Sequence, residues 1–125
     1  MSQVRGADTK PEMVIRRLIH RMGYRYRLHV CELPGKPDMV FPSRCKIIFV
    51  HGCFWHRHSK KGCKLARMPK SRLDFWQPKL EENRQRDLKA QKWLKRDGWR
   101  ILVIWECDIK RAGLADRIGR FLEAA

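Results

Sequence analysis

Residues 46–63 read KIIFVHGCFWHRHSKKGC. The first six, Lys46–His51, are β-branched and aromatic with no polar alternation, the pattern of a strand buried on both faces. Gly52 lets the chain turn, and Cys53, His56, His58 and Cys63 follow in quick succession. A core strand that runs straight into cysteines and histidines sets potential ligands at one end of a sheet.

Working outward, Arg100–Trp105 (RILVIW) predicts a second buried strand, and Asp38–Phe41 (DMVF) a short one after the turn chemistry of ELPGKP. Tyr24–His29 (YRYRLH) alternates and predicts a further strand. Pro78–Arg96 predicts a long helix with Leu80, Leu88 and Leu94 near one face, ended by Asp97-Gly98. Thr9-Lys10-Pro11-Glu12 has capping-box spacing ahead of Met13, Ile15, Leu18, Ile19 and Met22, which predicts a first helix ending at Gly23. A last helix is expected near Leu114–Leu122. The order α-β-β-β-α-β-α predicts an α/β fold, one mixed sheet flanked by helices, in a single domain over residues 1–125 with 1–8 as an arm.

The chain has 125 residues and is 43% hydrophobic, enough for a core without disulfides. Against 29 Lys and Arg stand 13 Asp and Glu, a net charge of +16. Self-repulsion of that size opposes compaction, and a polyanion is the natural partner. Nucleic acid fits best, because Lys and Arg contacts to phosphates release counterions. An anionic membrane fits less well, since no long amphipathic basic helix stands alone. No apolar run is long enough to span a bilayer, so no membrane partner is expected. An odd set of five cysteines and a polar start, MSQVRGADTK, point to a cytoplasmic protein with reduced thiols.

Cys53, His58, Cys63 and Cys107 form a ligand set suited to tetrahedral structural zinc, tying the loop after one strand to the end of another. The alternative is that Cys53 and Cys107 are buried apolar thiols. Against it stands the lysine-rich loop HSKKGC, which has no reason to bury Cys63 unless a metal holds it. His56 beside a phosphate suits general-base work, and His51 ends the strand. Asp38 opens a short apolar strand. It is either an ordinary turn aspartate or a hard oxygen ligand for Mg²⁺. Glu12 reads equally as part of the capping box, and Asp87 as an i,i+4 surface partner of Gln91 or Arg84. Phe54, Trp55 and Trp76 either pack in the core or, as exposed rings on basic surface, stack on bases or wedge between them. Lys36, Arg67, Lys70 and Arg72 supply positive charge beside them. Trp93, Trp99 and Trp105 are expected in the core.

Taken in order, DTKPE, LPGKPDMVF, KIIFVHGCFWHRH with Cys63, RMPKSRLDFW, NRQRD and GWRILVIWEC resemble the very-short-patch repair endonucleases. Those enzymes nick one strand at T·G mismatches left when 5-methylcytosine deaminates. The resemblance covers residues 7 to about 110, and the combined set is far more specific than any single motif. It implies the core shared with many restriction endonucleases, with Mg²⁺ held by Asp38 and the Val50 backbone carbonyl. It makes His56 the general base or proton shuttle, and has His51, Glu12 and Asp87 support metal-bound waters. It implies structural zinc on Cys53, His58, Cys63 and Cys107, and DNA entry by Phe54, Trp55 and Trp76. It further implies a monomer that acts on double-stranded DNA at the bacterial nucleoid, with other mismatch-repair proteins as possible partners. Family members usually carry a longer basic segment ahead of the first helix than residues 1–8 provide. Two rival functions remain open on the sequence: a restriction-type or branched-DNA nuclease of the same fold, and a non-catalytic zinc-stabilised DNA-binding module.

Overall fold

The computed structural model describes residues 10–28, 30, 32–53 and 73–124, with the backbone alone for 73–76. The elements are α1 (Lys10–Arg21), β1 (Met39–Phe41), β2 (Lys46–His51), α2 (Leu73–Arg96), β3 (Arg100–Trp105) and α3 (Leu114–Glu123). Short 3-10 turns follow β1 at Pro42–Arg44 and β3 at Glu106–Asp108. The strands form one mixed sheet in the order β1-β2-β3. β1 runs antiparallel to β2, with Met39 opposite Ile48. β2 runs parallel to β3, from Lys46 opposite Arg100 to His51 opposite Trp105. Parallel neighbours need a crossover, and α2 lies within it.

All six residues of β2 are buried, which is why KIIFVH shows no polar alternation. On one face Ile48 and Val50 pack with Met39, Phe41 and Ile104 against Ile15 and Ile19 of α1 and Ile118 and Leu122 of α3. On the other, Ile47 and Phe49 pack with Val40 against Leu94 of α2, joined by Trp99, Ile101 and Val103. Helices cover both faces, and β2 is the layer between them.

Lys46 opens β2 as a charged residue that is only 2% exposed. Its ammonium donates to the carbonyls of Phe121 at 2.6 Å and Leu122 at 2.9 Å, and also to that of Ala124. These are groups that the C-terminus of α3 leaves without intrahelical partners, and a cation there also complements the helix dipole. Lys46→Met should therefore lower stability by about 2–4 kcal/mol. Urea unfolding measures this, and an unchanged midpoint would show that the clamp carries no weight.

Four expectations need correction. The YRYRLH segment is not a fourth strand among the described residues but one bridge, Arg27 with Val40, closed by two 2.9 Å hydrogen bonds. β1 is only three residues long, and Pro42 after it has no N–H to extend the pairing. α2 begins at Leu73, so Pro78 lies inside it rather than starting it; the loss falls on one amide in the second turn. Leu88 is 48% exposed and Trp93 50%. At about 100° per residue Leu88 lies about 80° from Leu80 and 120° from Leu94, off the buried stripe. That stripe instead runs Leu80, Asn83, Asp87, Ala90, Leu94. No helix among the described residues is long and apolar enough to cross a membrane.

Candidate active site

The turn before β1 is held tightly. Gly35 adopts φ +80°, and a β-carbon there would lie 2.9 Å from that of Ala90 on α2. Only glycine meets both demands. Lys36 follows at φ +48°, a left-handed conformation that costs a lysine about 1–2 kcal/mol. Strain of this kind gathers at functional loops, and Lys36 is exposed two residues before Asp38. Lys36→Gly removes the strain, while the more flexible unfolded chain offsets it by about 0.5–1 kcal/mol. Its melting point should stay close to that of the parent while its duplex-DNA affinity falls; equal DNA affinity would contradict the phosphate contact expected of Lys36.

Asp38 lies just outside β1 rather than within it, half-buried at the end where β2 finishes. Its Oδ2 accepts the Val50 N–H at 2.6 Å, extending the ladder with a side chain where β1 has not yet begun. In an extended strand a residue's N–H and C=O leave on the same edge, so the Val50 carbonyl also faces the Asp38 edge. Glu12 of α1 is 2% exposed. Its carboxylate lies beside the Asp38 side chain and carries the Arg16 guanidinium, one helical turn on. Burial pushes the Asp38 carboxyl up to about 8, and the adjacent Glu12 carboxylate adds to the rise. The Val50 N–H and Arg16 act against it. A carboxyl withdrawn from water beside a second carboxylate favours its protonated form.

That corner suits a hard divalent cation. Mg²⁺ prefers carboxylate and carbonyl oxygens, takes one or two carboxylates and keeps several waters. Asp38 and the Val50 carbonyl offer oxygens of that kind, with the Glu12 carboxylate beside them. Among the described residues no group of three or more His, Cys, Asp or Glu side chains converges on one point, so water would have to complete the coordination.

His51 follows Val50 but points to the other face of the sheet. It is 4% exposed, its ring 5.5 Å from Phe49 and 5.1 Å from Trp105. Asp87 stands on the inward stripe of α2, one turn before Ala90, and is half-buried rather than on the surface. His51 lies on the sheet face that α2 covers, and Phe49 of that face and Ala90 of α2 both approach Gly35. Arg84, one of the partners expected for Asp87, turns to Glu81 at 3.2 Å. The structure thus gathers Glu12, Asp38 and Val50 at one corner and sets His51 on the opposite face of the sheet.

Cys53 is fully buried, two residues past His51, and Cys107 partly buried, two past Trp105. His51 and Trp105 are strand partners, so both thiols extend from one rung. The turn carrying Cys107 is fixed by Asp108, whose Oδ2 accepts the Trp105 N–H at 3.0 Å and the Arg117 guanidinium at 3.4 Å. Asp108 and Arg16 are the residues that the sequence reading passed over. Their signals are an acid three residues past a strand-ending N–H, and Glu–Arg at i,i+4. His56, His58, Cys63, Phe54, Trp55, Arg67, Lys70, Arg72, the 1–8 arm and the Trp76 side chain lie outside the described residues.

Residues 1–62 match the family model described as DNA mismatch endonuclease Vsr. The type II nicking enzyme V.XorIIP of Xanthomonas oryzae pv. oryzae is 52% identical over 113 residues, 90% of this chain and 81% of that protein. The type II nicking enzyme V.NmeAIP of Neisseria meningitidis serogroup A is 36% identical over 123 residues, 98% of this chain and 86% of its own. DNA mismatch endonuclease Vsr of Escherichia coli is 36% identical over 110 residues, 88% of this chain and 69% of its own. With the sheet, the acidic corner and relatives of this coverage, the chain belongs to the Vsr family of DNA mismatch endonucleases.

Proposed function

We propose that the chain is a Mg²⁺-dependent endonuclease that nicks one strand of duplex DNA beside a T·G mismatch and so initiates very short patch repair. It acts as a monomer in the bacterial cytoplasm, at the nucleoid. The observation that carries this is the Asp38 carboxylate seated on the Val50 N–H beside Glu12.

Asp38 and the Val50 carbonyl would hold Mg²⁺, with Glu12 toward its water shell. The ion, when bound, supplies positive charge to the scissile phosphate and lowers the pKa of water. Arg16 holds Glu12 in place and balances its charge. His56 takes the proton from the water whose oxygen joins phosphorus as the strand's P–O bond breaks. His51 and Asp87 orient the groups behind the corner. Phe54, Trp55 and Trp76 enter the stack at the mismatch, where unstacking is cheapest. Lys36, Arg67, Lys70 and Arg72 meet phosphates. Zinc on Cys53, His58, Cys63 and Cys107 fixes the loop that presents His56 and the rings.

Matched, T·G and branched duplexes, each incubated with and without Mg²⁺, test the function. The expected result is a single-strand nick in T·G duplex with Mg²⁺ only. Equal cutting of matched duplex would contradict mismatch selection, and preferred cutting of branched DNA would indicate the branched-DNA nuclease. Binding without cleavage of any duplex would indicate the zinc-stabilised binding module.

A further inference from the structure

A groove of about 490 Å³ opens between α1 and the segment after it, lined by Met13, Arg16, Arg17, His20, Arg21 and Tyr26. Its lining carries three arginines and a histidine and no acid. Arg17, His20 and Arg21 are exposed, and among the described residues no carboxylate pairs with any of them. The inner wall is firm. Tyr26 donates its hydroxyl to the Arg16 carbonyl at 3.1 Å and sets its ring edge-on to Phe41 at 6.0 Å. Arg16, 11% exposed, spans from this wall to Glu12. A basic last turn can serve the helix dipole alone, which would account for His20 and Arg21. It does not account for Arg17, nor for a concave surface lined by exposed Arg17, His20 and Arg21 with no acid among them.

We infer that this groove binds the DNA backbone, with Arg17 and Arg21 on two phosphates a short distance from the cleaved one. The inference rests on the DNA-cleaving function proposed above. Along α1, Arg17 and Arg21 lie five and nine residues past Glu12, or about 7.5 and 13.5 Å at 1.5 Å per residue. At 3.4 Å of duplex axis per nucleotide, that reaches phosphates about two to four nucleotides from the scissile one. The contact carries no base readout; it sets the register of the duplex over the acidic corner.

The test is the salt dependence of binding to matched and T·G duplexes without Mg²⁺, which needs no cleavage. Arg17→Gln/Arg21→Gln keeps good helix formers at both exposed positions. Its slope of log K against log salt should fall by about 1.8, at about 0.9 per phosphate contact. Its affinity at 0.1 M salt should drop about 10- to 100-fold, equally on both duplexes. Arg17→Lys/Arg21→Lys should restore most of the slope. An unchanged slope in a Gln variant with a parental melting curve would overturn the inference, even if T·G nicking is intact. So would unchanged DNA binding with loss of binding to phosphatidylserine vesicles, which would make the groove a membrane contact. A reduced slope in a protein that nicks no duplex would leave the groove standing and reject only the cleavage reading.

Discussion

Asp38→Asn should lower T·G nicking about a thousandfold while leaving duplex binding within a few-fold of the parent. The loss corresponds to roughly 4 kcal/mol of transition-state stabilisation, the scale on which a bound metal acts. Asn retains an oxygen that can accept the Val50 N–H, so the strand end keeps its hydrogen bond. The folded protein should not suffer. Without a divalent cation, Asp38 carries its proton up to about pH 8, whereas in the unfolded chain it ionises near pH 4. A folded-state pKa raised in this way contributes stability that is fully present below about pH 4 and is lost as pH rises through about 8. The parent should therefore lose stability between about pH 4 and 8 in magnesium-free buffer and level off above that, and the Asn variant should lose much less. Mg²⁺ competes with that proton, so its affinity for the parent should rise with pH and level off above about 8. Thermal melts and calorimetric Mg²⁺ titrations across this range read both effects. Retained nicking in Asp38→Asn would remove the residue from the reaction, and collapse of the fold would make its role structural.

The second large effect is on Cys107→Ala. Structural zinc contributes an apparent ~10–16 kcal/mol in small zinc-dependent domains, as much as the whole stability of an ordinary domain at about 5–15 kcal/mol. Loss of one ligand should abolish stoichiometric zinc and leave the chain unfolded or melting far below the parent. Cys107→His, which keeps a zinc donor, should retain part of both. Elemental analysis with circular dichroism decides it. A parent without zinc, or an alanine variant that keeps a full equivalent, would make Cys53 and Cys107 buried thiols at the ends of β2 and β3.

How far the sequence could be read depended on whether a residue's environment is local. KIIFVH and RILVIW declared themselves as apolar runs with no polar residue between their ends, but only the first is buried on both faces; in β3, at the end of the described sheet, Ile104 alone is fully buried. Both occupy the predicted positions. YRYRLH alternates just as a strand does, yet pairing needs a partner, and β1 offers three residues bounded by a bend and Pro42. Leu88 and Trp93 belong to the periodic part of α2, but the helix turns them from the sheet, and a half-polar stripe with Asn83 and Asp87 faces inward instead. The polar inward stripe is a departure from ordinary amphipathicity, and such departures concentrate at functional sites. Glu12 shows the same limit: capping-box spacing is a local signal, whereas its burial beside Asp38 arises from α1 packing over the end of β2. Asp38 itself was legible as an acid opening an apolar strand, a placement that costs stability unless something compensates it.

The central claim is that Asp38 and the Val50 carbonyl grip a divalent cation at the end of β2. Anomalous diffraction from crystals grown with T·G duplex and soaked in Mn²⁺ tests this most directly. The expected result is a peak about 2.1–2.3 Å from an Asp38 carboxylate oxygen and the Val50 carbonyl oxygen, with Glu12 facing its waters. A manganese peak on the DNA alone, or at the cysteines, with Asp38 still bound only to the Val50 N–H beside Glu12, would contradict it.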